Sequence, residues 1–89
     1  MISVTTERFR KCYKNLPEHI KESTQKAYAL WKQNPKHRSL QFKIIHKTQP
    51  VYSVRINLAW RAIGIKQKNT MIWFWIGSHA EYDKLIDSL

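Results

Sequence analysis

One cysteine, two glycines, three prolines and six acidic side chains in 89 residues leave this sequence short of several things that proteins are built from. A single thiol, Cys12, forms no internal disulfide and has no cysteine neighbours for a metal site, so a disulfide-stapled secreted scaffold is excluded. Its place in an apolar helical stripe predicts a packing role instead. Two glycines are too few for loops that cradle phosphates, which excludes P-loop and dinucleotide-binding designs. His19, His37, His46 and His79 show no zinc-ligand spacing, and no metal site is expected. No apolar run approaches the roughly 20 residues of a membrane span, and Met1–Thr5 lacks the basic and apolar regions of a signal peptide. The expectation is a cytoplasmic chain with no membrane role. Without repeats, low-complexity tracts or Gly/Ser linkers, residues 1–89 read as one domain.

Positive charge and aromatic bulk are plentiful. Sixteen Lys and Arg against the six acids give a formal net charge of +10, a density that favours polyanions through counterion release and steering. A nucleic acid or an acidic protein is the natural partner. Four Trp, four Tyr and three Phe supply large side chains for a core, so the chain should fold rather than remain disordered.

Hydrophobic spacing divides the chain in two. Phe9, Cys12, Tyr13 and Leu16 stand at i, i+3, i+4 and i+7 and mark one face of a helix over residues 6–16. Asn15-Leu16-Pro17-Glu18 reads as the start of a second helix, with Asn15 as cap and Glu18 closing a capping box. That helix turns Ile20, Ala27, Tyr28, Leu30 and Trp31 inward and stops near Asn34-Pro35. From Leu40 the period becomes two. Leu40–Ile45, Val51–Ile56, Trp60–Gln67 and Thr70–Gly77 read as four strands of an antiparallel meander, the last two joined at Lys68-Asn69, where Asn tolerates positive φ. Strict alternation in the last strand puts Ile72, Phe74 and Ile76 on one side and Met71, Trp73 and Trp75 on the other. Both faces are large, so the C-terminal segment or a partner chain must cover the one that the helices leave open. Ser78-His79-Ala80-Glu81 matches a capping box, and Tyr82, Leu85, Ile86 and Leu89 form the stripe of a short final helix. The predicted class is α+β: an N-terminal helical hairpin on a four-stranded antiparallel sheet, closed by a short C-terminal helix.

That order resembles the RelE/ParE superfamily of bacterial toxins across nearly the whole chain. Val51-Tyr52-Ser53-Val54-Arg55-Ile56, followed by Trp60-Arg61-Ala62-Ile63, looks like the family's paired strands, each with a basic residue. Ile76-Gly77-Ser78-His79-Ala80-Glu81-Tyr82-Asp83 looks like the strand end and His-x-x-Tyr segment of its ribonuclease members. The resemblance implies a toxin held inactive by a cognate antitoxin, acting as an endoribonuclease on mRNA at the ribosome without metal or small-molecule cofactor. Cleavage by a ribose 2′-hydroxyl needs cations for the charge developing on phosphate and a group to move protons. Arg55 and Arg61 match the family's basic strand positions and would clamp phosphate. His79 matches the C-terminal histidine, a residue type that titrates near neutrality, and is the candidate general acid or base. Tyr82, one turn later, would orient the substrate or share the proton transfer. Lys43, His46 and Lys47 are secondary candidates for RNA contact, and Met71, Trp73 and Trp75 for antitoxin contact.

Each of these residues also fits a plainer role. Tyr82 lies in the stripe of its helix, Arg61 suits a structural ion pair, the lysines suit a protected sheet edge and the aromatics suit a core. Two other functions stay open: inhibition of DNA gyrase, as in the ParE branch, and nucleic-acid binding without catalysis or an inactive toxin homologue.

Overall fold

The first two helices form where the apolar spacing places them, but their caps are shared differently from the expectation. In the computed structural model, which describes residues 1–89, Thr6 caps helix α1 (Glu7–Lys14) by accepting the Phe9 N–H at 3.1 Å. Asn15, expected to start the next helix, closes this one with its backbone. Helix α2 (Glu18–Gln33) begins after Pro17, whose extended ψ of 149° sets the entry, and it has no side-chain cap. Glu18 turns to Lys21 instead, 3.5 Å away.

The sheet holds five strands rather than four. Strand β1 (Ile2–Thr5) lies at one edge, followed by β5 (Thr70–Ser78), β4 (Trp60–Gln67), β3 (Val51–Asn57) and β2 (Lys43–Ile44). β1 runs parallel to β5, and the other pairs are antiparallel. Reversed polarity hid β1: Ile2 and Val4 point to solvent, while the Ser3 hydroxyl accepts from the Trp73 indole N–H at 3.1 Å. The strand expected from Leu40 shrinks to two residues. Arg38–Leu40 form a 3₁₀ turn, Gln41 takes a left-handed φ of 45°, and Leu40 drops into the core from irregular chain.

A second departure moves side chains between faces. Ile63 pairs with Trp75 and Gly64 with Trp73, so Phe74 is an extra residue in β5. A bulge of this kind breaks the two-residue alternation. Met71 and Trp73 face the helical hairpin together with Ile76, and Trp75 joins Ile63 on the opposite face. Gly64 makes the approach possible, because a Cβ there would lie 2.6 Å from Met71 Cε and 2.8 Å from a Trp73 ring carbon.

The hairpin face is the larger core. Trp31 meets Trp73 edge to face at 5.3 Å and Phe42 at 5.8 Å, geometries each worth about 0.5–1.5 kcal/mol beyond burial. Cys12 is half-buried and packs against both clusters, as expected of an apolar filler. Helix α3 (His79–Asp87) starts at the expected capping box, with Glu81 N–H to Ser78 Oγ at 3.2 Å and the Glu81 carboxylate accepting from Ser78 N–H. It covers the second face with Tyr82, Leu85 and Ile86 against Val51, Ile63 and Trp75. The C-terminal segment therefore supplies a cover that the sequence required. Positive φ in the β4–β5 turn falls on Lys68, at 55°, not on Asn69. No helix is long and apolar enough to cross a membrane.

Candidate functional site

Two arginines face each other across the sheet. Arg55 and Arg61 are directly opposed on β3 and β4, and Gly77 of β5 extends the same row. Like charges opposed across strands destabilise a sheet by a few tenths to about 1 kcal/mol, so a counter-ion would be expected. Neither arginine has an ion-pair partner: the ion pairs are Lys11–Glu7, Lys21–Glu18 and His79–Asp83, and the Asp83 carboxylate acts on Arg61 only from beyond contact distance. Burial, then the charge of Arg55, pushes the Arg61 guanidinium below its ordinary pKa, while Tyr82 and Asp83 pull it upward. It remains charged at any physiological pH.

Arg61 is held as well as crowded. Its Nη1 donates to the carbonyls of Asn57 at 2.7 Å and Trp60 at 3.0 Å, and more loosely to Leu58 at 3.4 Å. Nη2 and Nε have no protein acceptor. Beside it the Trp75 ring packs directly over Gly77, where a Cβ would strike it at 2.5 Å.

Helix α3 brings His79 and Tyr82 to the same end of β4 and β5. Tyr82 reaches across the face, only 6% exposed, and donates its hydroxyl to Ser53 Oγ at 2.9 Å. That bond closes two otherwise buried polar groups and fastens α3 to β3. His79 stands over Tyr82, with ring centres 5.8 Å apart, and its Nδ1 meets Asp83 Oδ2 at 3.0 Å. Its imidazole remains open to solvent, with 44% of the side chain exposed.

The other candidates lie elsewhere. Lys43 pairs in register with Ser53 and so shares the face of the arginines, one row away. His46 and Lys47 sit in the loop before Val51, roughly 13 Å of strand from Arg55 at about 3.3 Å per residue. His46 is engaged locally, its Nδ1 accepting the N–H groups of Thr48 and Gln49 at 3.1 and 3.0 Å. Met71, Trp73 and Trp75 are buried core.

Sequence reasoning missed Asp83, whose i+4 spacing from His79 on a predicted helix was a usable signal. It also missed Ser53, which nothing but strand register places under Tyr82.

The opposite face carries an apolar groove of about 580 Å³, lined by Phe9, Tyr13, Tyr28, Trp31, Val54 and Trp73 among others. Arg10 stands at its wall, and Lys21 and Lys32 lie over the rings of Tyr13 and Tyr28.

One face of the sheet thus presents two opposed arginines beside a solvent-open imidazole, and the other an apolar groove rimmed by cations. The model of the ParE-like toxin domain matches residues 18–84, and the chain belongs to that family. Solved structures agree in fold at low identity. The RelB–RelE antitoxin–toxin complex of Methanococcus jannaschii superposes with a TM-score of 0.74 at 16% identity, covering 92% of this chain and 96% of that one. YafQ from Escherichia coli gives 0.73 at 12% identity over 90% and 94%. RelBE2 of Mycobacterium tuberculosis, a toxin–antitoxin complex, gives 0.68 at 16% over 88% and 96%. No curated relative matches the chain in sequence.

Proposed function

We propose that this protein is the toxin of a toxin–antitoxin pair and cuts mRNA at the ribosome, with the scissile phosphate seated on Arg55 and Arg61. The observation that carries the reading is the opposed arginine pair, neither member of which is ion-paired to a carboxylate. Two guanidiniums left unpaired at a sheet end, one of them fixed by backbone carbonyls, suit two oxygens of one phosphate.

The chemistry follows from that seating. The ribose 2′-oxygen attacks phosphorus and loses its proton, the bond to the 5′ oxygen breaks, and a 2′,3′-cyclic phosphate and a 5′-hydroxyl result. The arginines meet the charge that builds on the phosphate oxygens, and exposed His79 moves a proton at the 2′ or the 5′ oxygen. Tyr82 anchors the helix that carries His79, since its hydroxyl is buried and bonded to Ser53. Lys43, one row away, extends the positive field along the RNA, with Lys47 farther out.

The antitoxin belongs on the opposite face. A groove with an aromatic floor and Arg10, Lys21 and Lys32 around it complements an amphipathic segment with acidic flanks. The M. jannaschii neighbour is itself a toxin held with its antitoxin.

Primer extension on a defined mRNA in a purified translation system tests the reading. Discrete, ribosome-dependent cuts that vanish with His79→Ala and Arg61→Ala are the expected result. Intact mRNA from a toxic wild type sinks it. Gyrase-dependent DNA breaks in the same cells would then transfer the protein to the gyrase-poisoning branch.

A further inference from the structure

One tight turn holds both parts of the site together. Asn57 and Trp60 are cross-strand partners, which leaves Leu58-Ala59 as the entire connection between β3 and β4. Two-residue hairpins favour primed turns, with positive φ at one or both central positions, because that geometry matches the twist of the strands. Neither Leu58 nor Ala59 has positive φ, whereas the other two-residue turn, at Lys68-Asn69, does. Something else must hold the first turn, and the Asn57 side chain is placed to do so: its Oδ1 accepts the Ala59 N–H at 3.0 Å. Asparagine at the first position of an unprimed turn makes this bond readily, since its carbonyl reaches the amide two residues on.

The turn's carbonyls point outward into the site. Those of Asn57, Leu58 and Trp60 receive Arg61 Nη1. The remaining one, of Ala59, accepts the backbone N–H of His79 at 2.8 Å. All four consecutive carbonyls therefore hold either the guanidinium or the first residue of α3. A change in the turn would move both groups relative to each other, although the Asn57 side chain bonds only within the turn.

We propose that Asn57 is a positioning residue: by fixing the Leu58-Ala59 turn, it sets the distance between the Arg61 guanidinium and the His79 imidazole. The catalytic half of this inference rests on the RNA-cleaving function above, and the structural half does not. Binding cations and proton donors in register is worth orders of magnitude in rate, and a misplacement of about 1 Å can cost about 100-fold.

The test uses the whole protein as wild type, Asn57→Ala and Asn57→Ser, the last restoring an acceptor with a shorter reach. Amide hydrogen exchange followed by NMR reads the turn directly. In the wild type the Ala59 and His79 amides should exchange through the same opening, at rates within about threefold of each other once corrected for intrinsic chemistry. In Asn57→Ala both should quicken at least about 10-fold while core amides such as that of Ile63 do not, and Asn57→Ser should recover part of the protection. In ribosome-programmed cleavage, Asn57→Ala should lower kcat by about 10- to 100-fold with KM within about threefold, and serine should restore part of it. Unchanged His79 exchange in Asn57→Ala overturns the proposal, as does a wild-type Ala59 amide that exchanges freely beside a protected His79. The wild-type comparison decides even if the alanine variant does not fold. Absence of wild-type cleavage would defeat the RNA-cleaving function alone, and the exchange data would still decide whether Asn57 fixes the turn.

Discussion

The two faces of the sheet solve opposite problems with the same strands. On the hairpin face, Trp31, Met71, Trp73 and Val54 exclude water from a cluster of ten buried residues. On the α3 face only Val51, Ile63, Trp75 and Tyr82 are buried apolar or aromatic neighbours, and the row beyond them carries two unpaired arginines. Stability is concentrated on one face, and the strain of opposed like charges on the other. Sites that receive a charged ligand often keep such a mismatch, because the ligand supplies the missing charge.

Substitutions on the two faces should separate these roles. Trp73→Ala would remove the ring that covers Gly64 and meets Trp31, and should lower unfolding free energy by about 3–5 kcal/mol in urea titration. A loss below about 1 kcal/mol would show that the hairpin face is not the main core. Arg61→Ala should lower RNA cleavage about 100- to 1,000-fold, as loss of a preorganised donor does elsewhere, while leaving the unfolding midpoint nearly in place. If stability falls in parallel with cleavage, Arg61 is structural. Tyr82→Phe leaves the buried Ser53 hydroxyl without a partner and should cost about 1–3 kcal/mol. Adding Ser53→Ala should recover part of that cost, a coupling that a double-mutant cycle measures. Smallest of all, Arg55→Thr should raise stability by a few tenths to about 1 kcal/mol, since it relieves the opposed charge. The same change should flatten the salt dependence of RNA binding by a slope of about 1.

The pH dependence of that strain has a definite sign. Arg61 has its pKa lowered on folding, so its charged form is the less favoured one in the native state. The cost is full below the folded pKa and is relieved only as pH rises toward the unfolded one. A guanidinium keeps its proton across the ordinary range, so the stability difference between wild type and Arg61→Met should stay level from about pH 5 to 9 in denaturant titrations. A slope in that window would mean that another group titrates with it.

Much of the scaffold was legible because local chemistry and tertiary packing agree there. Val51–Asn57 and Trp60–Gln67 are strand-forming runs bounded by turn residues, and Ser78 and Glu81 are a capping pair whose backbone partners are three residues away. β1 was not legible, because its apolar residues face solvent and its most buried residue is Ser3. Nor was the Phe74 bulge, which is an event of register between two strands and leaves no mark in composition. The site divides along the same line. Arg55, Arg61 and His79 were readable as residue types in a family pattern, but their mutual placement depends on a turn of two residues and on the helix that follows β5. His46 shows the converse: its residue type fits RNA contact, and its geometry fits a loop cap.

The parallel pairing of β1 with β5 imposes an order in time. Ile2 waits for Thr70 and Ser3 for Trp73, so β1 leaves the ribosome without a partner and stays so until β5 has followed. At ordinary elongation rates that delay is on the order of several seconds. Ser3 and Thr5 also line the groove on the hairpin face, together with Trp73, so that surface is complete only once β5 is made. A partner that recognises the completed groove can take hold only after the strands bearing both arginines have already been made.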